Sequence, residues 1–170
     1  MKKFLYLPAL ICTLILGIAN ANITVSGGTA HGNSKKIPIN SNGFNIRHRY
    51  ENSKYFPISW MNSFVYTKVS KFENKFYLKS QYYSIDTGLM YRLNSWSSIY
   101  GGMGLAYSKF QSRHVVVIGN KFIFKRLGLS VITGIQFNPV KNFVIDIGVE
   151  KGIMKSGVIT NIIAGIGYNF

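Results

Sequence analysis

The stretch Val158-Ile159-Thr160-Asn161-Ile162-Ile163-Ala164-Gly165-Ile166-Gly167-Tyr168-Asn169-Phe170 alternates with a period of two. Val158, Thr160, Ile162, Ala164, Ile166, Tyr168 and Phe170 are mostly apolar and end in two aromatics, whereas Asn161, Gly165, Gly167 and Asn169 are small or polar. Successive side chains of a β-strand point to opposite faces, so this segment predicts a strand with one face toward lipid and one toward a narrow interior. Ile159 and Ile163 break the rule on the inner side.

The same split recurs upstream. In residues 43–51, Phe44, Ile46, His48 and Tyr50 alternate with Asn45, Arg47, Arg49 and Glu51. In residues 80–93, Tyr83, Ile85, Thr87, Leu89, Tyr91 and Leu93 oppose Tyr82, Ser84, Asp86, Gly88 and Arg92, with Met90 as an apolar intruder. Residues 98–108, 127–137 and 143–150 repeat the pattern, and weaker versions run through residues 23–30 and 58–67. That makes eight strands, the smallest even number in common use for bacterial barrels.

A soluble barrel would place the apolar set inside. Here Glu51, Asp86, Asp146 and Glu150, four of the five acidic residues, share the inner face with Arg47, Arg49 and Arg92. Opposite charges inside a narrow barrel can pair, whereas Arg or Lys facing lipid at midplane costs roughly 2–4 kcal/mol. Tyr50, Tyr66, Tyr91, Trp96, Tyr107, Tyr168 and Phe170 fall near strand ends, where aromatic girdles sit. The expected fold is all-β, an eight-stranded antiparallel transmembrane β-barrel spanning residues 22–170.

Residues 1–21 read as a cleavable signal peptide: Lys2 and Lys3, an apolar run from Phe4 to Ile18, and Ala19-Asn20-Ala21 as the cleavage site. The run is interrupted by Pro8 and is shorter than the ~20 apolar residues a spanning helix needs. The single cysteine, Cys12, lies within it, so the mature chain has no thiol for disulfides, catalysis or metal binding. Short links at residues 52–57, 94–97 and 138–142 alternate with longer ones at 31–42, 68–79, 109–126 and 151–157. In outer-membrane barrels the short turns are periplasmic and the long loops extracellular.

The segments GFNIRHRYE (43–51), QYYSIDTGLMYRLNSWSSIYG (81–101), GIQFNPVKN (134–142) and IAGIGYNF (163–170) carry a further signal. In this order and spacing the chain resembles the Ail/Lom family of small outer-membrane proteins, most closely its OmpX-type members. The resemblance implies an eight-stranded barrel with protruding extracellular strands, in a Gram-negative outer membrane. It also implies a last strand whose Tyr168 and Phe170 serve as the assembly signal. Family roles include adhesion, invasion and serum resistance, and some members have no clear role, so a structural or envelope-stress barrel is the alternative.

Enzymatic chemistry finds little support. The three histidines, His31, His48 and His114, fall on separate segments, and no G-x-S-x-G run is present. A lipid-modifying enzyme would need a nucleophile with an oriented base, and no cofactor or metal is expected. The inner carboxylates read as members of a charge network with Arg47, Arg49 and Arg92. Eight strands leave no room for a continuous pore, and a monomer is the expected state.

Loss of Lys2 and Lys3 takes the formal charge from +15 to +13. Lys35 and Lys36 fall in the first long loop, Lys68, Lys71, Lys75 and Lys79 in the second, Arg113, Lys121, Lys125 and Arg126 in the third, and Lys151 and Lys155 in the fourth. Such cations would meet lipopolysaccharide phosphates first and host surface polyanions or host proteins next. The competing explanation is a compositional excess of lysine. Nucleic acid binding conflicts with export. Val115-Val116-Val117-Ile118 is an apolar β-branched run that suits a protruding strand edge.

Overall fold

The structure, a computed structural model, describes residues 22–34, 40–51, 56–73, 76–114, 121–155 and 157–170. The predicted signal peptide and the Val115 to Ile118 run lie outside the described residues. Eight strands follow in chain order: β1 (Asn22–Ser34), β2 (Ser41–Glu51), β3 (Ile58–Glu73), β4 (Phe76–Arg92), β5 (Ser97–His114), β6 (Lys121–Phe137), β7 (Phe143–Met154) and β8 (Gly157–Asn169). Each pairs antiparallel with the next, and β1 pairs with β8 to close a barrel. The Phe170 amide donates to the Ile23 carbonyl at 2.9 Å, so the final residue also contributes to the seam.

The expected eight-stranded barrel is present, and alternation sets its faces. Ile46, Ile85, Leu105, Leu129, Ile162 and Ile166 are exposed on the outer wall. Arg47, Ser63, Ser84, Asp86, Ser130 and Asp146 are buried inside. In a soluble protein so many exposed large apolar side chains would be anomalous; on a barrel wall they are the surface that meets lipid.

The short turns are built by asparagine. Asn94 Oδ1 accepts from the Trp96 amide at 3.0 Å, the Ser97 amide at 2.7 Å and the Ser97 hydroxyl at 2.9 Å. This is the local bonding that favours Asn in turns. Asn142 adopts the left-handed conformation (φ 67°) that Asn tolerates better than most residues, at the turn between β6 and β7.

Strands β3 to β6 run longer than the sequence pattern predicts. The β3/β4 pairing continues to Glu73 opposite Phe76, and the β5/β6 pairing to Arg113 opposite Lys121. In contrast, the β2/β3 register stops at Asn42 opposite Lys68, and β6/β7 starts at Leu129 opposite Ile153. A four-stranded sheet therefore stands beyond the closed wall. Lys68, Lys71, Lys79, Arg113, Lys121, Lys125 and Arg126, expected in loops, lie on these strands instead, and Lys151 lies on β7. Lys155 alone of the described candidates sits in a turn. The reason is that beyond the wall neither face meets lipid, so the contrast that marks a barrel strand disappears although the backbone pairing continues.

The interior mixes polar and apolar layers. Ala30, Met61, Val65, Met90, Tyr100, Ile132 and Ile163 form one buried cluster, and Tyr82, Ala106 and Met154 another. Glycine makes room for the aromatics: a Cβ at Gly134 or Gly148 would overlap the Tyr100 hydroxyl, and one at Gly152 the Tyr82 ring. Gly148→Ala is therefore expected to destabilise the barrel by about 1–3 kcal/mol, the usual cost of overpacking. Gly101→Ala, on the outer wall where a Cβ meets nothing within 4 Å, should cost nothing measurable. Urea unfolding of the two variants in detergent checks the contrast.

Candidate functional site: the lumen network and the protruding sheet

Three arginines and four carboxylates meet in the lumen. Arg47 pairs with Asp146, whose carboxylate also accepts from Tyr100 at 2.8 Å and Ser26 at 3.3 Å. The Arg47 guanidinium stacks 4.0 Å above the centre of the Tyr100 ring, adding a cation–π contact. Nearer the short turns, Arg49 pairs with Glu51, and Arg92 reaches the same carboxylate at 2.7 Å. Arg49 also donates to Gln136 at 3.1 Å and Ser59 at 3.2 Å. Glu150 accepts from Tyr82 and Asn161, and Asp86 from Ser84 at 3.2 Å.

These contacts describe a filled interior. The side chains that could act as acids or bases are held by arginine, tyrosine, asparagine or serine. Among the described residues, no three His, Cys, Asp or Glu side chains gather as a metal site would require.

The second arrangement lies where the four-stranded sheet leaves the wall. Phe44, Tyr66, Tyr83 and Tyr107 form a girdle across β2 to β5, with ring centres 5.5, 4.9 and 6.2 Å apart. Two residues beyond Tyr66 on β3 stands Lys68, and two beyond Tyr107 on β5 stands Lys109, roughly 6–7 Å further along each strand. Lys68 is paired with Gln81, Gln81 with Lys109, and Lys109 with Lys125, so one ladder across β3 to β6 carries three lysines on the outer face. Lys79, paired with Ser70 and Gln111, and exposed Arg113 continue the same face outward.

The structure separates the candidate cations. Lys71 and Arg126 share the opposite face of the sheet, following the parity of the lumen, together with the exposed rings of Phe122 and Phe124. Lys121 lies on β6 opposite Arg113. Lys35, Lys36 and Lys75 lie outside the described residues. Lys109 was missed by the sequence reading, although a lysine two positions from a girdle tyrosine was a signal available for finding it.

No family model matches the chain. Along its whole length it is nevertheless 37% identical to outer membrane protein X of Enterobacter cloacae, an alignment of 173 residues that covers all of both chains. The chain belongs to the Ail/OmpX family. It is also 30% identical to the attachment invasion locus protein of Yersinia enterocolitica, again across the full length of both. The crystal structure of Ail from Yersinia pestis, in complex with the heparin analogue sucrose octasulfate, matches with a TM-score of 0.79 at 27% identity, covering 89% of this chain and 99% of that one. As an Ail/OmpX barrel the protein resides in the Gram-negative outer membrane, and the girdle and the exposed apolar wall are its contacts with that membrane.

Proposed function

We propose that this Ail/OmpX barrel is a non-enzymatic surface-attachment protein, exported by residues 1–21 and assembled through Tyr168 and Phe170. In this reading the protruding sheet faces outside and holds polyanions against its cationic face. The observation that carries the proposal is the ladder of Lys68, Lys109 and Lys125 directly beyond the tyrosine girdle. Lysines there lie at the depth of lipid headgroups, where lipopolysaccharide phosphates are the first anions met, and Arg113 and Lys79 extend the field to soluble polyanions. The sulfated sugar bound to the Yersinia pestis relative is a polyanion of the second kind. Attachment to host surfaces or resistance to serum would follow from such contacts.

A basic residue near a charged membrane surface contributes about 1 kcal/mol. Replacing Lys68, Lys109 and Lys125 together by Gln should therefore weaken binding to lipopolysaccharide-containing vesicles on the order of a hundredfold. Retention on immobilised heparin should fall as well, with heat-modifiable migration of the folded barrel unchanged. Lys141→Gln, at the short-turn end, serves as the reference. Unchanged binding in the triple variant would favour a structural or envelope barrel, as would equal adherence and serum survival of deletion and complemented strains.

A further inference from the structure

A run of polar side chains crosses three neighbouring strands of the otherwise mostly apolar outer wall. His48 on β2, Asn62 on β3 and Thr87 on β4 stand side by side, His48 paired with Asn62 and Asn62 with Thr87. On each strand the polar residue lies between aromatics of the wall: His48 between Phe44 and Tyr50, Asn62 between Trp60 and Phe64, Thr87 between Tyr83 and Tyr91. All three therefore lie within the hydrocarbon zone and not at its rim. The Thr87 hydroxyl donates to Asn62 Oδ1 at 3.0 Å. No hydrogen bond joins the His48 ring or the Asn62 amide nitrogen to any other described residue. Their capacity is unmet in a solvent that offers no donors or acceptors.

A groove of about 540 Å³ opens beside this patch, lined by Leu89, Tyr91, Ile99, Gly101, Thr133 and Ile135. It exists because Gly101 presents no side chain on the outer wall, and Leu89 continues β4 from Thr87 into its lining. Trp60, exposed and paired across the strands with Leu89, flanks the groove on its β3 side.

We propose that this wall, formed by β2 to β5, is a contact between two copies of the barrel within the membrane. The occupant is a second copy because the patch is self-complementary. Histidine and asparagine each donate and accept, so a two-fold axis through the patch sets His48 of each copy against Asn62 of the other and makes the contact twice, once from each side. Polar side chains that bond between spanning segments join membrane proteins in this way. A soluble ligand has no access to this depth, and an acyl chain offers no polar partner.

The absence of cysteine from residues 22–170 gives a direct test. In a Cys12→Ser background, Ile85→Cys places one thiol on the wall beside the patch, and Ile166→Cys places one on β8. Both positions are exposed. Outer membranes from a strain expressing either full chain are treated with a short lipid-permeable bis-maleimide. Dimer is expected from Ile85→Cys and not from Ile166→Cys. Adding His48→Leu and Asn62→Leu to Ile85→Cys should reduce the dimer severalfold at equal amounts of folded barrel, and Thr87→Val gives a smaller change with less risk to assembly. The proposal is overturned by no dimer from Ile85→Cys, by equal dimer from the two walls, by conjugates with a different polypeptide only, or by dimer that survives the patch substitutions in folded barrels.

Discussion

Arg47→Ala should cost this barrel about 3–5 kcal/mol of folding free energy, because it leaves a buried carboxylate without its counter-charge. Arg47 is 1% exposed and Asp146 is fully buried, so water cannot take over the lost contact without entering the lumen. Asp146 would retain only the hydroxyls of Tyr100 and Ser26, neutral donors that cannot offset a full negative charge. Tyr100 would at the same time lose the guanidinium stacked on its ring. Urea unfolding in detergent or in bilayers measures the loss. Replacing both partners by apolar residues of similar volume, Arg47→Met with Asp146→Leu, should cost far less than the single change, since no charge is then stranded. A loss below about 1 kcal/mol for Arg47→Ala would mean that the lumen is hydrated and the pair screened.

Leu105→Arg should destabilise the inserted barrel by about 1–3 kcal/mol, because a basic side chain costs roughly 2–4 kcal/mol at the lipid midplane and little at the interface, and Leu105 lies one outward position below the girdle residue Tyr107. Leu105 is 59% exposed on β5 and is flanked across the strands by Ile85 and Leu129, both exposed. On a water-facing surface the same substitution would be close to neutral, so its effect reports directly on what the outer wall touches. Lys109→Arg, four residues further along the strand and past the girdle, should change nothing. Equilibrium folding into phospholipid vesicles distinguishes the two, and a neutral Leu105→Arg would remove that part of the wall from the membrane.

The residues named in these experiments differ in how readily the sequence disclosed them. Leu105 stands in an alternating run whose small inner partners, Gly102, Gly104 and Ala106, mark both its strand and its face. Arg47 and Asp146 were each legible as inward-facing, but nothing in the chain tells which carboxylate a given arginine meets. The β3 to β6 extension was misread as loops because outside the membrane the two faces no longer differ in solvent. Met61, Val65 and Ile132 were not anticipated as lumen residues, since apolar side chains inside a barrel break the very alternation used to locate the strands. The lysines past the girdle were visible as charge, and the facing of Lys71 and Arg126 away from Lys68 and Lys125 was not.

By itself the sequence determined the number of spanning strands, which residues face lipid and which the lumen, and the inward placement of nearly all the acidic residues. All of these follow from the period of two, a local property fixed by the geometry of a single strand. Only the tertiary structure decided that Arg47 meets Asp146 from 99 positions away, that Lys68, Lys109 and Lys125 share one ladder, and that His48, Asn62 and Thr87 form one patch. Those meetings depend on the register of every pairing around a closed ring. A shift by one residue in any strand would turn its side chains to the other face, and closure of β1 on β8 is what fixes the set together.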